Sequence, residues 1–296
     1  MKHSFTYYLT LFVLKLKGIK KDFSKDPIDY NKIRKQDVHV PKDRFFKKDC
    51  VSNYKISNTR ITELTQNTSS KKLLLFIHGG AFISGPGKHH WDTIKEIYKK
   101  TNHNIWLCDY PKAPENTISE ISKNIDAIYA QALKSYNPKT ITLLGDSAGG
   151  TLVTALTQRL ILKNSALPNR LVLICPVMDA SLSNPEINAI NTIDPMLSKV
   201  GVLSAKTMCA ENNDLKNVML SPLYGSFDKF PNTIMCIAEH DIMYPDQKLA
   251  IKKFNKANIN IEVIEGEAMP HIWPLLPVMK EAKATLKLLI NRLNKE

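Results

Sequence analysis

Gly145-Asp146-Ser147-Ala148-Gly149 forms a G-x-S-x-G pattern that follows the β-branched and leucine run TITLLGD and opens a helix-compatible run. A serine at such a strand-to-helix turn is held strained, with its Oγ projecting above the sheet, and small neighbours keep the turn from clashing. The helix start behind it offers free N–H groups and a positive dipole end to a developing anion. A serine hydroxyl attacks a carbonyl only with a base to take its proton and a carboxylate to orient that base. The expected chain order is serine, acid, histidine, the last two on loops after later strands. Two histidines lie downstream, His240 and His271. His271, in EGEAMPHIWP just after the final strand-like run, is placed to be the base, and Asp241, after NTIMCIAEH, to be the acid. Glu239 and Asp246 compete for the acid's role, and Asp246 is better placed to cap the helix that starts there.

Glycine use points to a second place. Of 11 glycines, Gly79, Gly80, Gly85 and Gly87 fall in one stretch and Gly145, Gly149 and Gly150 in another. A residue used sparingly and then concentrated answers a local backbone demand, either positive φ or close approach of the main chain. When a serine adds to an ester carbonyl, charge appears on the oxygen, and each preorganised N–H aimed at it contributes roughly 10²–10³ in rate. The N–H groups of Gly79, Gly80 and Ala81, at the end of the run LLLFIHGG, and that of Ala148 after the nucleophile are the expected donors. His78 lies upstream of the serine, the wrong order for the base, and reads as a hydrogen-bonded strut for the loop.

These loops need elements to hold them. Apolar or β-branched runs at 73–80, 104–110, 140–146, 170–177, 232–241 and 259–266 alternate with helical patterns at 88–100, 118–136, 148–164 and 246–258, and another helix is expected at 275–294. Strands apolar throughout are buried on both faces, so the fold class is α/β, a mostly parallel sheet flanked by helices. CVSNYKIS and RITELTQN alternate apolar with polar and read as antiparallel edge strands. From about 180 to 222 the strand rhythm stops and loop plus helices take over, an insertion expected over the C-terminal ends of the strands, where such sheets bind ligands.

The 296 residues fit one large α/β domain, with 43% hydrophobic residues to fill its core. The net charge of +13 rests on scattered lysines, only six of the 41 basic residues being arginine. Phosphate and base readout recruits arginine forks on a clustered face, so no nucleic-acid partner is expected. Five widely spaced cysteines show no C-x-x-C pattern and read as small buried hydrophobes in a reducing, cytoplasmic compartment, with no structural metal. Near the N-terminus Phe5, Tyr8, Leu9, Phe12, Leu16 and Ile19 recur at helical spacing, which predicts an amphipathic helix lying on the protein; a basic helix on a membrane surface is the sharper alternative. The apolar run there is too short to span a bilayer.

HGGAF at 78–82, DYPKAPE at 109–115, GDSAGG at 145–150, DPMLS at 194–198, SPLYG at 221–225, EHDIMYPD at 239–246 and MPHIW at 269–273 together resemble the hormone-sensitive-lipase-like branch of the α/β-hydrolases, which includes bacterial carboxylesterases and acetylesterases. The resemblance covers roughly residues 70–275. It implies an α/β-hydrolase fold in a single domain, with Ser147 as nucleophile, Asp241 as acid, His271 as base and the oxyanion loop at Gly79, Gly80 and Ala81. It further implies a cap built from about 1–40 and about 180–220. The expected activity is hydrolysis of short- to medium-chain acyl esters through an acyl-enzyme, on a small-molecule ester and with no cofactor or metal. A lipase, thioesterase, lactonase or small peptidase uses the same constellation, and a non-catalytic binding protein on this fold is the alternative of another class. Two departures stand out. Ala81 replaces the third glycine of the family's H-G-G-G, placing a methyl beside the alcohol side of the site, and Lys112 stands where the family often has leucine.

Overall fold

A computed structural model describes residues 3–67 and 69–295. Eight strands form one sheet in the order β1-β2-β4-β3-β5-β6-β7-β8: β1 (Val51–Ile56), β2 (Thr59–Leu64), β3 (Lys72–Ile77), β4 (His103–Asp109), β5 (Ile141–Asp146), β6 (Arg170–Ile174), β7 (Asn232–His240) and β8 (Ile261–Pro270). From β4 through β8 all pairings are parallel, while β1 with β2 and β2 with β4 are antiparallel. Only β1 of the two alternating runs is an edge. β2 lies inside the sheet, and Ile61 and Leu64 on it are fully buried.

Alternation along the strands feeds two cores. On β3, Leu73, Leu75 and Ile77 join the cluster on one face and Leu74 and Phe76 the cluster on the other. Every residue of the run is wanted in a core, which is why the sequence is apolar without a gap. The flanking helices are α4 (Lys88–Lys100), α5 (Ile118–Ala132), α6 (Ala148–Leu162), α9 (Tyr244–Lys256) and α10 (Lys280–Asn294). α9 begins two residues before Asp246, so that carboxylate does not cap the helix. It lies in the first turn, where the helix dipole favours an anion, and accepts a hydrogen bond from Asn184 Nδ2 at 3.0 Å.

Three short helices, α1 (Phe5–Leu16), α2 (Ile19–Asp22) and α3 (Tyr30–Arg34), precede β1, and two more, α7 (Ile187–Ile193) and α8 (Lys199–Cys209), fill the insertion between β6 and β7. The expected helix at the N-terminus is present, but its packing differs from the expectation. Phe5, Tyr8, Phe12 and Leu16 point outward, 80%, 57%, 57% and 70% exposed, and the inward face is Tyr7, Thr10 and Leu14. Polar bonds fix that rotation: Tyr7 Oη donates to the Ala268 carbonyl at 2.8 Å, and Ser4 Oγ and N donate to Glu281 on α10 at 2.8 and 2.7 Å. A stripe count cannot see such anchors. Among the described residues no helix is long and apolar enough to cross a membrane. All five cysteines are free, and four of them are buried.

Candidate active site

Parallel strands end on the same side of a sheet, so the loops after β3, β5, β7 and β8 meet there. Ser147 follows β5 directly, with φ 50° and ψ −121°, a conformation that a non-glycine residue holds only where its surroundings impose it. The imposing contact is the packing of the turn against β3: a Cβ at Gly149 would stand 1.9 Å from the Ile77 carbonyl oxygen. Asp241 follows β7 and is fully buried, while His240 pairs with Pro270 of β8 and does not turn inward. His271 follows β8.

The three side chains meet. His271 Nε2 lies 2.9 Å from Ser147 Oγ, and His271 Nδ1 lies 2.7 Å from Asp241 Oδ2. The second oxygen of Asp241 accepts the Met243 N–H at 2.9 Å, which fixes the carboxylate's plane. Burial pushes the His271 pKa down, but Asp241 pushes it up by charge and hydrogen bond, and the net direction is upward. Glu239, the competing acid, is occupied elsewhere, accepting the Ala268 N–H at 2.9 Å.

The expected oxyanion donors separate into two groups. Gly79 N–H is already taken, donating to Asp146 Oδ1 at 2.9 Å, so Gly79 braces the loop and is not a free donor. Its contact with the turn is equally tight, since a Cβ there would stand 2.4 Å from Asp146 Oδ2. Among the described residues nothing in the protein accepts from the N–H groups of Gly80, Ala81 and Ala148; Ala148 follows Ser147 directly, and Gly80 and Ala81 line the same cavity as Ser147. Gly80 has φ +124°, a value that excludes a side chain, and its carbonyl accepts from Ile83 and Ser84 N–H to close a tight turn. Ala81 and Phe82 continue at positive φ, 54° and 66°. His78 is a buried strut as expected, with Nδ1 bonded to the Gly79 carbonyl at 2.5 Å and its ring stacked on Tyr110 at 4.6 Å.

Three supports were not singled out from sequence. His90, on α4, bonds Asp146 through Nε2 at 3.3 Å and accepts the Gly87 N–H through Nδ1 at 2.8 Å. Burial would raise the Asp146 carboxyl, but His90, His89 and the Gly79 N–H outweigh it and hold the group at about 2. Asp194, in DPMLS, accepts from the N–H groups of Met196 and Leu197 at 2.8 Å and of Ile242 at 2.9 Å, tying the insertion to the residue after Asp241. Burial, with the nearby Asp241 charge, pushes its pKa up to about 7. Lys206, on α8, is buried and faces the cavity described next.

Above Ser147 lies a cavity of about 560 Å³. Ser147, His271, Gly80 and Ala81 line its floor; Leu9, Val13 and Leu14 of α1 and Met196, Leu197 and Val202 of the insertion line its walls. That size is typical of sites for small organic ligands. Arg34 of α3 joins the N-terminal segment to the oxyanion loop, donating to the Ile83 and Ala113 carbonyls at 2.7 Å while pairing with Glu115.

A serine at a strand-to-helix turn and a histidine after the last strand, on a sheet of this order, define the α/β-hydrolases. A sequence model of the alpha/beta hydrolase fold matches residues 74–275, and the chain belongs to that family. It is 28% identical over 210 residues to an esterase of Acinetobacter venetianus, covering 70% of this chain and 69% of that protein. A putative esterase from Staphylococcus aureus has a similar solved structure, with a TM-score of 0.86, 23% identity and coverage of 97% and 99% of the two chains. An esterase described as belonging to the bacterial hormone-sensitive lipase family superposes with a TM-score of 0.85 at 21% identity, over 100% of this chain and 99% of that one. The branch read from the motifs agrees with that neighbour.

Proposed function

We propose that this protein is a serine carboxylesterase that hydrolyses short- to medium-chain acyl esters through an acyl-enzyme. The observation that carries the reading is the continuous relay from Ser147 Oγ through His271 to Asp241, at 2.9 and 2.7 Å. The esterases among its relatives support the same class. His271 Nε2 takes the Ser147 proton as Oγ attacks the ester carbonyl, and the oxyanion is received by the N–H groups of Gly80, Ala81 and Ala148. The C–O bond to the alcohol breaks and His271 returns its proton to the leaving oxygen. Water, deprotonated by the same histidine, then attacks the acyl-enzyme, and the acid leaves as Ser147 regains its proton. Asp241 holds the imidazole in the tautomer with its proton on Nδ1 and stabilises the imidazolium. This chemistry asks for no metal or organic cofactor.

We read α1 to α3 and the α7–α8 insertion as a cap, since both line the cavity wall, and the cytoplasm as the compartment that suits five free cysteines. The test is a rate series over p-nitrophenyl esters from acetate to palmitate, with Ser147→Ala and fluorophosphonate labelling as controls. A maximum at short or medium chains that vanishes in Ser147→Ala is expected. Best activity on palmitate would make the protein a lipase, and a folded wild type without Ser147-dependent labelling would make it a binding protein.

A further inference from the structure

Lys206 sits in α8 with its side chain only 1% exposed, and it lines the same cavity as Ser147 and His271. Its Nζ lies 4.5 Å from the centre of the Phe82 ring, and Phe82 directly follows Ala81 in the oxyanion loop. Among the described residues no carboxylate and no other hydrogen-bond acceptor bonds to that Nζ. A buried amine with a ring face beside it but no hydrogen-bond acceptor is costly, and a methionine or leucine would fill the same space without that cost.

The acidic groups around the cavity are committed elsewhere. Asp22 pairs with Lys32, Asp92 with Lys88, Asp37 accepts the Gly85 N–H, and Asp146 is held by His90 and Gly79. Cys209, three residues on, supplies no counter-charge, because burial pushes its thiol up to about 12. Burial also lowers the Lys206 amine to about 7, so an anion bound beside it would hold the proton there. Of the lysines that line the cavity, Lys17 and Lys88 are exposed and Lys88 pairs with Asp92, whereas Lys206 is buried over the phenylalanine that follows Ala81 in the oxyanion loop.

We propose that Lys206 is the specificity residue of this cavity and pairs with a carboxylate on the substrate, so that the preferred ester is one that also carries a free carboxylate. The proposal rests on the esterase reading of Ser147. The carboxylate belongs either to a dicarboxylic acid half-ester, on the acyl side, or to an ester of a hydroxy acid, on the alcohol side.

Three substrates separate these sources: p-nitrophenyl hemiglutarate with the carboxylate in the acyl group, 4-carboxyphenyl butyrate with it in the alcohol, and neutral p-nitrophenyl pentanoate as reference. In Lys206→Met the ratio of kcat/KM for one carboxylate ester over the neutral ester should fall at least about tenfold, the scale of a hydrogen bond to a charged group. The substrate whose ratio falls identifies the side. In the wild type, glutarate should inhibit pentanoate hydrolysis and raise the melting temperature at concentrations where the uncharged glutaramide does neither, a measurement that stands even if Lys206→Met fails to fold. Equal ratios in the two proteins, or equal effects of glutarate and glutaramide, would overturn the proposal. If no ester is turned over but glutarate stabilises the protein in a Lys206-dependent way, the anion site holds and the esterase reading falls.

Discussion

The carboxylate of Asp146 accepts the N–H of Gly79 at 2.9 Å, joining the residue before the candidate nucleophile to a loop 67 positions earlier in the chain. The same carboxylate is held by His90. One buried anion thus sets the spacing between Ser147 and the N–H groups of Gly80 and Ala81. The close approach that accompanies this bond, with a Cβ at 79 only 2.4 Å from Asp146 Oδ2, accounts for the glycine there.

Asp146→Asn tests that brace. Asparagine can accept from Gly79 or from His90, but its amide N–H must then face a donor, and a buried unsatisfied donor costs about 1–3 kcal/mol. A melting temperature a few degrees lower is expected. Displaced oxyanion donors should also lower kcat by roughly 10- to 100-fold, with KM moving less. Unchanged kcat in a less stable variant would mean that the contact supports only the fold.

His271 as the proposed base predicts a pH profile. Burial lowers the His271 pKa, but Asp241 and the more distant Asp194 and Asp146 raise it above the ordinary histidine value. The histidine must be neutral to accept the serine proton, so kcat/KM should fall as pH drops through that raised value. In Asp241→Asn the main raising influence is gone and burial acts less opposed. The acidic limb should then move to lower pH, while the rate itself falls on the order of 10⁴-fold as the tautomer is lost. A limb that stays in place would assign the titration to another group.

The meeting of Ser147, Asp241 and His271 was legible because each position is fixed by chain order on a parallel sheet. Local patterning also gave α4 its observed bounds, Lys88–Lys100. Legibility ended where a partner distant in sequence decides. Nothing near Gly79 announces that Asp146 will take its N–H, and nothing in α1 announces that Tyr7 reaches Ala268. Hydrophobic spacing placed the wrong face of α1 inward, because Phe5, Phe12 and Leu16 outweigh Tyr7, Thr10 and Leu14 on any apolarity count, whereas the bonds of Tyr7 to Ala268 and of Ser4 to Glu281 decide the rotation. Lys206 looked like one more lysine in a lysine-rich chain, and only its burial against Phe82 sets it apart.

That rotation of α1 separates two sets of substitutions. Phe5→Ser, Phe12→Ser and Leu16→Ser remove side chains that are 57% to 80% exposed, so each should change stability by less than about 0.5 kcal/mol. Leu14→Ala removes one that is 6% exposed and should cost about 2–5 kcal/mol. Since Leu14 also lines the cavity, the same change should move the optimum in the ester series toward longer acyl chains. Thermal melts of the four variants decide the matter: if the outer set proves the more destabilising, α1 is packed in solution by its other face.

Ala81 is the last test. It stands at φ 54° in the turn that presents its own N–H, and it lines the cavity at 8% exposed. A left-handed conformation costs a non-glycine residue about 1–2 kcal/mol. Glycine would relieve that cost but free the unfolded chain by about 0.4–1 kcal/mol. Ala81→Gly should therefore leave the protein equally stable or up to about 1.6 kcal/mol more stable. If, as the family resemblance implies, the methyl stands beside the alcohol side of the site, its removal should raise the rate on bulky-alcohol esters relative to ethyl or methyl esters of the same acid. Steady-state kcat/KM on such a pair gives the ratio directly. A ratio that does not move, in a variant with intact Ser147 labelling, would show that the width of the alcohol channel is set elsewhere.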